Sequence, residues 1–168
     1  MINIVLYQPE IPQNTGNIMR TCAGTGAKLH LIRPLGFSLS ENAIKRSGVN
    51  YIENCDYKIY DNWEEFLKKN SDGMFCYLTR YGKKPHSDFD FKKENVYLVF
   101  GKESTGIPKE ILKQHLDECA RIPTNANIRA LNLSNCVALV LFEALRQQDY
   151  PNLLRSEPFK GENYLSEE

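Results

Sequence analysis

Residues 121–148, RIPTNANIRALNLSNCVALVLFEALRQQ, decide how the fold is read, because three physically different pieces follow one another. Arg121, Ile122 and Pro123 close a short segment, and Pro123 lacks the N–H needed to continue as a paired strand. Residues 124–132 are polar, with three asparagines and Arg129. Residues 133–145 are apolar except for Ser134, Asn135 and Glu143. Asn132 and Ser134 both suit a helix N-cap, since a short side-chain oxygen can accept from the open N–H groups of a first turn. The unbroken apolar run 137–142 predicts a helix buried on nearly all sides. A polar loop delivered to the start of such a helix is a common place to hold an anion or a cofactor.

Working outward, residues 2–7 (INIVLY) are rich in β-formers and predict a buried strand. They lack the basic flank and apolar length of a leader peptide. Residues 8–17 predict a loop from which Asn14, Thr15 or Asn17 caps a helix over 18–24, ended by Gly24 and Gly26. Residues 28–32 (KLHLI) predict a second strand, so the chain opens as a βαβ unit, which implies parallel pairing. A short helix over 41–47 follows. Further strands are expected at 57–60, 73–78, 96–100 and 119–122. Asn62 is expected to cap a helix with Trp63, Phe66 and Leu67 on one face, and Pro108 to open another over 108–115. Residues 79–88 predict a polar loop. Alternating strands and helices give an α/β fold, a mostly parallel sheet with helices on both faces. The expected division is one domain over 1–155 and a polar tail over 156–168.

At 42% hydrophobic and 25% charged residues, the composition is that of a soluble globular chain long enough for a real core. No apolar run reaches the ~18–20 residues of a membrane helix. Five widely spaced cysteines without a C-x-x-C pair predict reduced core thiols in a cytoplasmic protein. His30, His86 and His115 are scattered, which predicts no metal site. Lys plus Arg and Asp plus Glu both number 21, so bulk charge does not point to nucleic acid. A local patch, such as Arg80, Lys83 and Lys84, would have to supply any phosphate contact.

Three polar stretches, 8–20, 101–106 and 124–132, each begin where a predicted strand ends, and 78–86 is a fourth. In open α/β sheets that edge holds ligands. Nucleotide motifs fail here. GKEST lacks the earlier glycine of a P-loop, and Glu103 separates Lys102 from Ser104. Gly24-Thr25-Gly26 ends a helix instead of opening one. Ser104 has no neighbouring histidine to act as its base.

PEIPQNTGNIMRTC, then LVFGKESTGIP, then RIPTNANIRALNLSN resemble, in order, the three motifs of the SPOUT class of RNA ribose 2′-O-methyltransferases. The chain is most like the small single-domain TrmL-type group that methylates the wobble nucleotide of tRNA. The resemblance runs from Ile2 to about Asn152. It implies a C-terminal trefoil knot, a rare departure from the rule that chains do not thread loops. It also implies bound S-adenosylmethionine, a tRNA anticodon loop as substrate, and a homodimer built largely on the first and last helices. Position by position, Leu78, Thr79, Gly101, Ile122, Ala130 and Leu131 resemble residues that enclose the cofactor, largely through backbone groups. Arg20 matches the arginine that acts on the target ribose, and Asn14, Glu103 and Asn132 match polar residues grouped around it. Position 130 is usually serine in this family, and alanine stands here.

Methyl transfer to a ribose hydroxyl requires alignment of the reacting atoms and stabilisation of charge on the oxygen. A guanidinium suits the second task and is a poor base. Arg20 is therefore assigned orientation and charge stabilisation, and the proton acceptor stays open between Glu103 and a substrate phosphate. Taken singly, these residues have plainer readings: a surface arginine, a solvated turn acid and two helix caps. Two other functions remain on the table, a non-catalytic knotted dimer motivated by Ala130 and a phosphate-handling enzyme using 101–106.

Overall fold

The computed structural model describes residues 1–39 and 52–166, so the helix expected over 41–47 lies outside the described residues. Strand β1 (Ile2–Tyr7) leads through α1 (Pro12–Thr25) to β2 (Lys28–Ile32). Then come β3 (Tyr57–Tyr60), α2 (Trp63–Lys69), β4 (Met74–Leu78), β5 (Lys84–Pro85), β6 (Val96–Phe100), α3 (Lys109–Leu112), β7 (Cys119–Arg121) and α4 (Leu133–Gln147). The sheet order is β3-β2-β1-β6-β4-β7-β5, and every strand pairing is parallel.

Side chains alternate across a strand, and that sorts the core into two layers. Ile4 and Leu6, with Leu29, Leu31, Leu98 and Phe100, meet Ile18, Met19 and Cys22 of α1 and Val137, Val140 and Leu141 of α4. Val5, Ile32, Tyr97 and Val99 point the other way, onto Trp63 and Phe66 of α2 and Leu112 of α3. The second layer buries His30, whose Nε2 lies 3.0 Å from Asn3 Oδ1 and whose Nδ1 lies 2.9 Å from the Tyr60 hydroxyl. Asn3 donates its amide to the Val96 carbonyl, so its oxygen accepts from His30 Nε2–H, and the hydroxyl donates to Nδ1. Burial, the largest cause, pushes the imidazole down to about 4, so the ring is neutral.

The βαβ opening, the central strands and the Asn62 cap agree with the sequence reading, and Asn62 accepts from Glu65 N at 2.8 Å. All five cysteines are free thiols, four of them buried. Four details differ. Helix α1 begins at Pro12, six residues earlier than expected, and its N-cap residue is Ile11 without a side-chain cap. Pro108 is the N-cap of α3, which is only Lys109–Leu112. The expected loop over 79–88 contains β5, an edge strand short enough to tolerate Pro85. Helix α4 is buried on one side only: Leu139 and Phe142 are 47% and 46% exposed. Residues 154–166 are exposed throughout.

Because β7 lies between β4 and β5, the 79–83 connection must cross it. The crossing is tight. A Cβ on Gly82 would sit 2.5 Å from the Ala120 carbonyl carbon.

Candidate active site

Tyr7, Phe100, Leu78 and Arg121 end β1, β6, β4 and β7, which are neighbours in the sheet, so the loops they release meet at one edge. Two carboxylates hold the first two loops together in a reciprocal clasp. Glu103 accepts from Glu10 N at 2.8 Å, Ile11 N at 3.1 Å and Asn14 Nδ2 at 3.2 Å. Glu10 accepts from Ser104 N at 2.9 Å and Ser104 Oγ at 2.8 Å, and these bonds lower its pKa below the usual carboxylate value. The clasp explains the early start of α1. Its first turn carries no acid and its N-cap offers no side-chain oxygen. A carboxylate from the loop after β6 accepts from the N–H groups of Glu10 and the N-cap residue Ile11, just ahead of the helix, and complements the helix dipole. Asn14 is thus a brace inside the first turn and not a cap.

Asn14 extends the brace to the third loop, since its Oδ1 accepts from Asn132 Nδ2 at 3.0 Å. Asn132 is the N-cap of α4, and its Oδ1 accepts from Ser134 N at 2.9 Å and Asn135 N at 3.4 Å. One chain of hydrogen bonds, Asn132 to Asn14 to Glu103, therefore ties all three motif loops together. Gly101 serves the middle loop. A Cβ there would fall 2.1 Å from the Gly106 carbonyl carbon, and Gly106 (φ +73°) donates its N–H to the Lys102 carbonyl. The glycine is required by the loop's closure on itself.

The braced loops enclose a cavity of about 770 Å³. Leu78, Thr79, Gly101, Ile122, Ala130 and Leu131 all line it, as do Asn14, Glu103 and Asn132. Arg20 does not. It follows Asn14 by six residues, about 9 Å along the helix axis and on another face, where it is exposed. Sequence reasoning missed Tyr81, Lys102, Arg121 and Arg129 as lining residues. Their signal was position, since each lies on a loop or strand end already marked. The lining holds four cations (Arg80, Lys102, Arg121, Arg129) and one acid, Glu103, in a chain with zero net charge. Among the described residues, the backbone of 124–131 makes no hydrogen bond to other backbone groups. A mixed lining of this kind, apolar at Leu78, Phe100, Ile122, Leu131 and Leu133 with polar and cationic groups between, fits a ligand that joins a flat ring to polar parts.

A second cavity of about 810 Å³ lies at the opposite edge, beside Met1 and Gly26, and no residue of the three motifs lines it. No cluster of metal-ligating side chains occurs among the described residues, and no described helix is long and apolar enough to cross a membrane.

A parallel α/β sheet whose carboxyl-edge loops close over a cationic, partly apolar cavity is the architecture of a ligand-binding protein. The chain belongs to the SpoU rRNA Methylase family, whose profile matches residues 1–142. A solved structure from Bacillus anthracis is 51% identical, with a TM-score of 0.89 over 93% of this chain and 100% of that one. A relative from Methylovorus glucosotrophus, named tRNA (cytidine(34)-2′-O)-methyltransferase, is 46% identical over 151 residues, 89% of this chain and 97% of its own. A solved structure described as giving insights into the 2-OH methylation of C/U34 on tRNA is 40% identical, with a TM-score of 0.83, covering 89% of this chain and 97% of that one.

Proposed function

We propose that this protein methylates the ribose 2′-hydroxyl of the wobble nucleotide, cytidine or uridine, in tRNA anticodon loops, using S-adenosylmethionine. The observation that carries the reading is the single cavity into which all three motif loops are braced. S-adenosylmethionine, when bound, supplies an already activated methyl group. Ile122, Ala130 and Leu131, with Leu78, Thr79 and Gly101, would hold it through apolar contact and backbone groups. The four lining cations suit RNA phosphates, which the neutral chain as a whole does not attract.

Within this reading the clasp keeps the three loops in register, since small misplacement of reacting groups is costly. Both oxygens of Glu103 are engaged by three donors, which favours a bracing role over proton acceptance. Arg20 orients the ribose and stabilises charge on its oxygen from outside the cavity of its own chain. A homodimer built on α1 and α4 is supported by the exposed Leu139 and Phe142, and the role given to Arg20 requires that the dimer place the partner's α1 at the cavity mouth. The passage of the 79–83 connection across β7 supports a C-terminal knot.

The test is mass spectrometry of tRNA from a deletion strain, with the purified protein assayed on anticodon stem-loops. Loss of one 2′-O-methyl group, restored by the protein, is expected. An unchanged modification profile together with no transfer in vitro would overturn the proposal.

A further inference from the structure

Tyr81 is a large aromatic residue left 73% exposed at the mouth of the cavity. It sits on a turn that is unusually well fixed. Thr79 N donates to the Ala120 carbonyl at 2.9 Å, Gly82 N to the Thr79 carbonyl at 3.2 Å, and Tyr81 N to Thr79 Oγ1 at 3.3 Å. Gly82 is pressed so closely onto β7 that no side chain fits there. The guanidinium of Arg80 lies 5.3 Å from the centre of the Tyr81 ring. An exposed ring on a pinned turn loses little freedom when it is covered, so its burial favours binding.

We infer that Tyr81 is a stacking platform for an unpaired base flanking the target nucleotide, with Arg80 beside it contacting the RNA backbone. The inference rests on the function proposed above and names how that site takes its substrate. Proteins read single-stranded loops by splaying bases onto aromatic faces and guanidinium planes. Arg121 and Arg129 line the same cavity and offer further positive charge to the phosphates of that loop. A stack of this kind registers the presence of a base more than its identity. It therefore positions the loop whether the neighbouring base is a purine or a pyrimidine. The hydroxyl of Tyr81 has no part in this, and the ring does all of the binding.

The experiment pairs protein variants with anticodon stem-loops carrying one abasic nucleotide at each loop position in turn. Tyr81→Ala should raise KM on the intact loop by roughly 5- to 100-fold with kcat little changed, while Tyr81→Phe and Tyr81→Trp retain wild-type KM. For wild-type protein, one abasic position should raise KM comparably, and at that position Tyr81→Ala should add almost nothing. Affinity for S-adenosylmethionine, measured by calorimetry, should be unchanged. Independent losses at every abasic position, or a fall in cofactor affinity in Tyr81→Ala, would overturn the inference while leaving the methyltransferase reading intact. Wild-type protein that binds the cofactor and methylates no tRNA would overturn both.

Discussion

Replacing Glu103 with glutamine separates a brace from a base. The carboxylate now accepts from three donors, two of them backbone N–H groups at the start of α1. A glutamine has one carbonyl oxygen. If it keeps Ile11 N and Asn14, its own NH₂ faces the N–H of Glu10, donor against donor. One charge-assisted bond is lost, worth ~1.5–3 kcal/mol, and two others weaken because the acceptor is neutral. The favourable charge at the helix N-terminus goes too, another ~0.3–1 kcal/mol. Glu103 is half-buried, which discounts the sum, so Glu103→Gln should cost about 2–3 kcal/mol of stability. For a chain of this size that lowers Tm by about 5–10 °C. Thermal unfolding followed by circular dichroism measures it. Cofactor affinity should weaken with it, and the pH dependence of kcat should keep its shape. Tm within about 1 °C of wild type, combined with loss of the acidic limb of the kcat profile, would refute the brace and make Glu103 the proton acceptor.

Arg20→Ala should lower methylation by more than ~100-fold while cofactor affinity and dimerisation stay near wild type, and a collapse of cofactor binding by calorimetry would contradict that placement. Asn132→Ala removes the N-cap of α4 and the donor to Asn14, so urea unfolding should show a loss of at least ~1 kcal/mol. Phe142→Asp places a charge on the exposed face of α4 and should convert dimers to monomers in sedimentation equilibrium at micromolar concentration. His30 carries the pH prediction. Its folded pKa of about 4 lies below the ordinary 6.5, so the neutral ring's stabilisation is complete above pH 6.5 and is lost as pH falls toward 4. Between pH 7 and 4.5 the loss is roughly 2 kcal/mol, and it should be smaller in His30→Gln, measured from urea midpoints at those two pH values.

Periodicity alone revealed the strands and the α/β class because a parallel sheet covered on both faces needs continuous apolar runs, as in 2–7 and 96–100. It also singled out the carboxyl-edge loops, which the structure shows lining one cavity. Local rules missed what distant residues decide. The start of α1 is set by Glu103, some ninety positions away, and no capping rule applied to 12–17 can see it. The two-residue strand β5 exists because β7 arrives beside it, and Lys84-Pro85 carries no strand signal of its own. Apolar content overstated the burial of α4, because sequence does not distinguish a side chain covered by its own sheet from one left open for another molecule. The mouth residue Tyr81 was hidden for a related reason: a ring in a polar loop reads as ordinary until the turn beneath it is seen to be fixed.

The position of β7 between two strands made earlier bears on how the protein is born. A ribosome releases β4 and β5 long before residues 119–121, and the last wall of the cavity comes later still with 122–133. A nascent chain therefore carries an unfinished sheet, with the α4 side of Leu98 and Phe100 uncovered, until α4 itself has been made. Catalysis cannot begin early, and a product cut short before α4 would be a sticky fragment for quality control to remove.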